Sequence, residues 1–384
     1  MDPRSFERVV VPESGAVPVR RGHPWVFRDV KVASKAGRPV VLVDGKGAVI
    51  GWGLADDGPI AVRVLGTSLP AAIKLDVLLR ERLAQLDAFR QRMVGDDTDA
   101  YRLVHGEGDG LGGLVIDRYA DVAVIKLYGA CWVPHLDPIV AAVRGLGWAQ
   151  RGLRRLGVGR VDGSEGATSL FGGEVPDRVL VLEHGVKMIA PVRDGQKTGM
   201  FLDQREHRAL VRRWAGRGRV ANLFSYHGGF SVSAALGGAR RVISVDIAPA
   251  AMEIAKENFR LNGLDPDQHG FEVADAFAWR ADGPLDTLIV DPPSLAHDRK
   301  TAGAARAAYR KLHRGHGGQV APGGLLVTSS CTSWVGEVEW RAAVAEGLTG
   351  AWSWCWTSGA PPDHPVAVGH AEGTYLKFGV LRRR

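Results

Sequence analysis

The stretch RVANLFSYHGGFSVSAALGGARRVISVDIA, Arg219 to Ala248, decides the fold. An apolar run around Val220 to Phe224 reads as a strand, Gly228 and Gly229 mark a turn, and FSVSAAL (230–236) continues as a helix. Gly237 and Gly238 follow, the residue type that tolerates a left-handed cap, and RVISVD (241–246) forms a second strand ending in an acid. Strand, glycine turn, helix and strand are the unit of a parallel sheet covered by helices. The alternation starts near Val186 and repeats: FEVADAFAW (271–279) puts Asp275 at a further strand end, and LDTLIVDPP (285–293) ends another strand at Asp291. Ligands of open parallel sheets collect at the carboxyl ends of the strands, so Asp246, Asp275 and Asp291 are expected along one edge.

Asp246 stands 18 residues after Gly228, close to the interval at which an acid meets a ribose hydroxyl in dinucleotide-type sheets. The turn is nevertheless no GxGxxG fingerprint. A pyrophosphate needs several glycines so that backbone amides can approach it, and Phe224 and Tyr226 put bulk there instead. A nucleoside without a phosphate satisfies both observations, and S-adenosylmethionine fits; the alternative is a glycine turn with a purely structural role. The next strand, GGLLVTSSCTSW (323–334), ends at Cys331 and brings a sulfur to the edge that carries Asp291. Carbon 5 of cytosine is a poor nucleophile, but a thiolate adding to carbon 6 makes the ring an enamine, and loss of the carbon-5 proton after methylation expels the thiol. In this reading Cys331 is the nucleophile, Asp291 holds the pyrimidine edge, and Pro292 and Pro293 stiffen the loop under a flipped or single-stranded base. Free cysteines are also commonly buried hydrophobes, the reading preferred for Cys131 and Cys355.

The remainder of the 384 residues divides into three expected domains. Residues 1–68 read as short strands broken by turns, with Asp44-Gly45 where a hairpin would fall: a small β-rich module. Residues 69–185 read as α/β, opened by an amphipathic helix with Leu75, Leu78, Leu79, Leu83, Leu86 and Phe89 on its apolar face. The basic run RGLRRLGVGR, Arg151 to Arg160, reads as a solvated loop or helix face, with an RNA-facing patch as the alternative. Residues 186–384 carry the chemistry. WSWCWTS (352–358) reads as a buried strand rather than a stacking platform for bases. The formal charge of +7 suits a polyanionic partner and says nothing of fold. Three cysteines without pairwise spacing make neither a disulfide framework nor a zinc site, and His105, His227, His297 and His364 show no metal spacing. No apolar run approaches the ~18 residues of a membrane span, and MDPRSFERVV lacks the apolar core of a secretory signal, so a cytoplasmic location is expected.

Nearly end to end, the chain resembles the bacterial large-subunit ribosomal RNA cytosine-5 methyltransferases that carry an N-terminal PUA domain. The resemblance rests on RGHPWVFRDV at Arg21, YRLVHGEGDGLGGLVIDRY at Tyr101, DGQKTGMFLDQREHR at Asp194, NLFSYHGGFSVSAA at Asn222, VDPPSLA at Val290, TSSCTSW at Thr328 and EGTYLKF near the C-terminus. It implies a PUA domain, a central α/β domain and a Rossmann-like class I methyltransferase domain that uses S-adenosylmethionine on large-subunit rRNA, with no membrane partner and a homodimer as one candidate assembly. Carried over by position, Phe224, Ser225, Tyr226, Gly228, Asp246, Asp275 and Asp291 look like the donor pocket and Cys331 like the nucleophile. Gln196, Lys197 and Thr198 would close over the donor, with Asp203 and Glu206 spaced like a helix cap. Pro292, Pro293 and Ser294 would face the substrate. Two departures stand out: Ser333 and Trp334 replace the paired histidines usual after the cysteine, and position 294 is Ser where some other RNA cytosine-5 methyltransferases have a second cysteine. The base that removes the carbon-5 proton is therefore unassigned.

Two rival readings remain. Asp-Pro-Pro near a methyl donor also suits methylation of an exocyclic amino group, although Ser294 and Leu295 follow where such sites commonly place an aromatic. A ribosome-assembly protein that binds the donor without turnover is the other; small-molecule methylation leaves the β module and the basic segment unexplained.

Overall fold

The computed structural model describes residues 2–155 and 166–384, and the chain groups into two compact units. One draws on Met1–Leu182, Ala190–Leu202 and Pro362–Gly373, the other on Glu183–Ile189, Asp203–Pro361 and Thr374–Arg384. Segments 190–202 and 362–373 thus pack with the first unit although they lie beyond residue 185.

The first unit opens with β1 (Arg8–Val10), α1 (Glu13–Arg20), β2 (Trp25–Phe27), β3 (Pro39–Val43), β4 (Val49–Ala55) and β5 (Ile60–Gly66), paired in the order β1-β3-β4-β5-β2. Asp44 builds the β3–β4 turn: its carboxylate accepts from the amides of Lys46 at 3.0 Å and Ala48 at 2.9 Å, which is why an Asp stands there, while the left-handed residue of the turn is Gly47, with φ 83°, not Gly45. Next come α2 (Leu75–Val94), β6 (Ala100–His105), β7 (Leu114–Tyr119), β8 (Val122–Leu127), α3 (Leu136–Arg144), β9 (Arg151–Arg155) and β10 (Thr168–Phe171), with strand order β10-β9-β8-β7-β6. The helix expected from Leu75 is present, but one side of its buried face is polar. Arg90 is fully buried and donates to Arg102 O and to Asp109, while Phe89, expected inside, is exposed. The guanidinium finds a carboxylate and a carbonyl there, which an aromatic ring could not satisfy.

The basic run also differs from its expectation. Arg151–Arg155 is a strand, not a loop or helix face; Arg151 pairs with Asp121, and Arg155 donates to the carbonyls of Val192 and Gly195. The rest of the run, 156–160, lies outside the described residues.

β11 (Val179–Glu183) and β12 (Val186–Ala190) follow in the chain. The second unit contains α4 (Arg205–Trp214), β13 (Arg219–Leu223), α5 (Gly229–Leu236), β14 (Arg241–Asp246), α6 (Pro249–Leu261), β15 (Gly270–Val273), β16 (Leu285–Val290), α7 (Ala302–His316), β17 (Val320–Ser330), α8 (Glu337–Gly347), β18 (Trp352–Ser358) and β19 (Lys377–Arg383). Its sheet runs β15-β14-β13-β16-β17-β19-β18; β13 to β17 are parallel and β19 enters antiparallel between β17 and β18. The chain reverses its direction of travel across the sheet at β13, the position at which open α/β sheets bind ligands. The central strands are buried and rich in Val, Ile and Leu, as a sheet covered on both faces requires.

WSWCWTS is a strand, β18, but a half-exposed one at the sheet edge, and its register to β19 shifts between Trp354 and Trp356. Cys355 sits in that shift and is exposed, contrary to the buried role expected of it, whereas Cys131 is fully buried and burial pushes its thiol pKa up. Among the described residues no helix is long and apolar enough to cross a membrane.

α4 is fastened by a buried ion pair. Arg208 donates through Nε and one terminal nitrogen to both Glu183 oxygens, at 2.6 and 2.5 Å, and a Cβ on Gly229 would come within 2.8 Å of the Arg208 stem. Removing one member strands the other charge. Arg208→Met should therefore lose about 3–5 kcal/mol in urea unfolding, and adding Glu183→Leu should restore a large part of it.

Candidate active site

The loop from β13 to α5 is bent by its own backbone. Phe224 has φ 59°, Tyr226 φ 48° and Gly228 φ 73°, so three of five consecutive residues are left-handed and two of those carry large rings. Such a conformation costs on the order of 1–3 kcal/mol per residue and persists only where surroundings enforce it. Here they do: the Ser225 amide donates to Val245 O at 3.0 Å, the Tyr226 amide to one Asp246 oxygen at 2.8 Å, and the Ala248 amide to the other at 3.0 Å. Asn258, fully buried on α6, donates to His227 O at 2.9 Å, and a Cβ on Gly228 would lie 2.9 Å from that of Ala255. Position 228 therefore admits only glycine.

The Ser225 hydroxyl in this loop is buried without a hydrogen-bond partner among the described residues. Buried hydroxyls are rarely left so, and a polar ligand against the loop would satisfy this one. Asp246 keeps further lone pairs for such a ligand. Asp275 is exposed two residues beyond β15 and accepts from the Phe277 amide at 2.9 Å; the Phe277 ring stands edge-on to Phe224, centroids 5.5 Å apart.

Asp291 follows β16 and Cys331 follows β17, neighbouring parallel strands in which Val290 pairs with Thr328. The two residues, with Asp246 and Asp275, thus occupy the carboxyl edge of one sheet. Gln204 Nε2 donates to Asp291 at 3.0 Å, and Ser329 Oγ donates to the same oxygen. Pro292 is buried and Pro293 exposed, while the Ser294 hydroxyl donates to Ala296 O at 3.0 Å.

Around the partly buried Cys331 the chain is tied on both sides. The fully buried Tyr309 hydroxyl donates to Ser330 Oγ at 2.8 Å and lies 2.9 Å from Thr332 Oγ1, which in turn accepts from the Leu295 amide at 3.0 Å. Lys377, almost wholly buried, donates from Nζ to Thr332 O at 2.7 Å and Val335 O at 2.9 Å. Burial pulls the Lys377 ammonium down to about 8, against the opposite pull of Cys331, and pushes the Tyr309 hydroxyl up to about 12, with Cys331 and Asp291 adding to the rise. His313 completes the support: Nδ1 lies 2.7 Å from Tyr309 O and Nε2 2.9 Å from Thr328 Oγ1.

Lys197 and Thr198 belong to the first unit. Thr198 is buried and donates to Asp117 at 2.5 Å beside the Tyr119 hydroxyl at 2.9 Å; Lys197 has φ 54° and places Nζ 4.6 Å from the centre of the Phe201 ring. The cap expected from Asp203 and Glu206 does not form. Gln204 stands at the N-cap but its side chain makes no capping bond, Asp203 accepts from the Tyr375 hydroxyl at 2.7 Å, and Glu206 pairs with His184 and with Arg205, whose charge outcompetes a neutral amide for a carboxylate.

A family model described as S-adenosylmethionine-dependent methyltransferase matches residues 111–340, more than half of the chain. The chain belongs to that family. A PUA-like domain model matches residues 9–67 of the methyltransferase. A relative named "Ribosomal RNA large subunit methyltransferase" from Deinococcus radiodurans is 38% identical over 98% of this chain and 97% of its own. "Ribosomal RNA large subunit methyltransferase I" from Tolumonas auensis is 35% identical over 94% and 96%. Among solved structures, a chain described as a methyltransferase complexed with S-adenosylhomocysteine (SAH) superposes with a TM-score of 0.87 at 25% identity, over 98% of this chain and 100% of that one. The methyltransferase is therefore a class I, Rossmann-like enzyme with an N-terminal PUA-like domain, and S-adenosylmethionine is its cofactor.

Several residues that organise the site carry no sequence signature of their own: Gln204, Tyr309, His313, Ser329 and Lys377. Gln204, Ser329 and Lys377 lie inside quoted segments, FLDQREHR, TSSCTSW and EGTYLKF, but their roles depend on partners 87, 38 and 42 or more residues away.

Burial holds His207, His313 and His316 of the methyltransferase down to about 4, against ~6.5 for the unfolded chain. Between these values the unfolded state binds protons that the folded state refuses, so stability is complete above ~6.5 and falls as pH drops toward 4. Urea midpoints should be lower at pH 5 than at pH 7.5, and His313→Gln should flatten that dependence.

Proposed function

We propose that the methyltransferase forms 5-methylcytidine in large-subunit ribosomal RNA through a covalent adduct between Cys331 and the target base. The observation that carries this reading is the thiol at the end of β17, one strand from Asp291 and held between two anchored neighbours. The names of the relatives above support the ribosomal substrate, and the PUA-like domain and the charge of +7 suit RNA.

Phe224, Ser225, Tyr226, Gly228, Asp246, Asp275 and Asp291 hold the donor. S-adenosylmethionine supplies an electrophilic methyl group when bound. Cys331 Sγ, as thiolate, adds to carbon 6 of the cytosine, and the electron pair displaced from the 5,6 double bond makes carbon 5 nucleophilic. Asp291, oriented by Gln204 and Ser329, accepts a hydrogen bond from the pyrimidine edge and stabilises positive charge at the ring nitrogen. Once carbon 5 carries the methyl group, loss of its proton restores the double bond and expels the thiolate. Pro292, Pro293 and Ser294 form the floor on which the base rests.

Incubation with labelled donor and an unmodified large-subunit rRNA transcript, followed by digestion to nucleosides, tests this. The wild type should yield labelled 5-methylcytidine and Cys331→Ala none; Asp291→Asn should lower kcat about a hundredfold. A labelled amino-methylated nucleoside that survives Cys331→Ala would replace the thiol mechanism with exocyclic methylation, and donor binding without any transfer would favour a non-catalytic role.

A further inference from the structure

Trp334 stands three residues after Cys331 and is 50% exposed, with no aromatic ring or cation over its face among the described residues. A large apolar side chain left in water at a site is informative, because burying it would have stabilised the fold. The loop that presents it is fixed. Thr332 and Val335 on either side are fully buried, the Val335 amide donates to Thr332 O at 3.2 Å, and Lys377 Nζ bridges the carbonyls of both. Only Ser333 and Trp334 project between these anchors, and both are exposed. The indole is thus held out rather than left loose, and the entropy cost of fixing its loop has already been met in folding.

The Thr332 hydroxyl also accepts from the Leu295 amide, which joins this loop to the one that follows Asp291. That second loop carries Arg299 and Lys300, exposed and without an ion pair among the described residues. An exposed aromatic ring three residues from Cys331, with cations in the adjoining loop, matches single-stranded RNA: bases stack on the ring and phosphates meet the cations. A target base drawn out of its strand also leaves its neighbour without a stacking partner.

We propose that Trp334 stacks on the nucleotide adjacent to the target base and that Arg299 and Lys300 hold the flanking phosphates. This subsite rests on the reading of Cys331 as the residue that meets the target, but binding measures it without turnover.

Equilibrium binding of an unmodified large-subunit rRNA transcript to the SAH-bound protein is the first measurement. Trp334→Ala should weaken binding about tenfold and raise KM by a similar factor while kcat changes less than about twofold; Trp334→Phe should retain most of the affinity. Arg299→Ala with Lys300→Ala should reduce the salt dependence of binding by about two units of log–log slope and leave the Trp334 effect in place. Once the methylated nucleotide is mapped, an abasic site next to it should weaken the wild type and leave Trp334→Ala unaffected. Equal affinity of wild type and Trp334→Ala, or a Phe variant as weak as the Ala one, overturns the proposal, even if 5-methylcytidine is formed. A product other than 5-methylcytidine alongside the same loss of affinity overturns the thiol mechanism and leaves the subsite standing.

Discussion

The Tyr309 hydroxyl touches Ser330 and Thr332 at once, and Cys331 lies between them. A strand end is ordinarily where a chain begins to wander; here the residue before the thiol and the residue after it share one buried partner on α7. Thr332 passes the constraint to the Asp291 loop through the Leu295 amide, and Lys377 passes it to the turn at Val335. The position of the sulfur is thereby set by the packing of α7 and β19 against β17, not by the loop itself. A side chain on a rigid element is held more closely than one on a free loop.

The loop from β13 to α5 uses the opposite device. There the backbone is forced into left-handed geometry at Phe224 and Tyr226, and Asp246 satisfies two amides of the distorted chain. The same carboxylate thus braces the loop at the carboxyl edge of the sheet. Strain of this kind is a reservoir kept at functional sites and compensated by the surrounding fold, and Asn258, Ala255 and Val245 are the compensating contacts in this molecule.

Much of the fold could be read directly, because its signals are local. The glycine turn at Gly228, the acids at strand ends and the 3.6-residue spacing from Leu75 each depend on neighbours within a few positions. What escaped are features decided across long separations. Arg90 reads as a solvent residue until Asp109 and Arg102 are found beside it, and Phe89 as a core residue until the same arginine takes the inside. Asp203 and Glu206 have the spacing of a cap, yet Tyr375 and His184 claim them first. Cys355 has an apolar neighbourhood in sequence, and only the order of strands shows that it lies on an edge. The thiol and acids of the site were recognisable as residue types at strand ends; the hydroxyls, amide and ammonium that hold them were not.

The irregular edge strand has a bearing on how these molecules behave in a crowd. With its pairing broken at Cys355, β18 offers an arriving strand no continuous run of amides and carbonyls, and β15 at the far side is only four residues long. Sheet-to-sheet growth between copies finds no template at either margin. The largest sheet of the enzyme is thus a poor nucleus for fibrous aggregation.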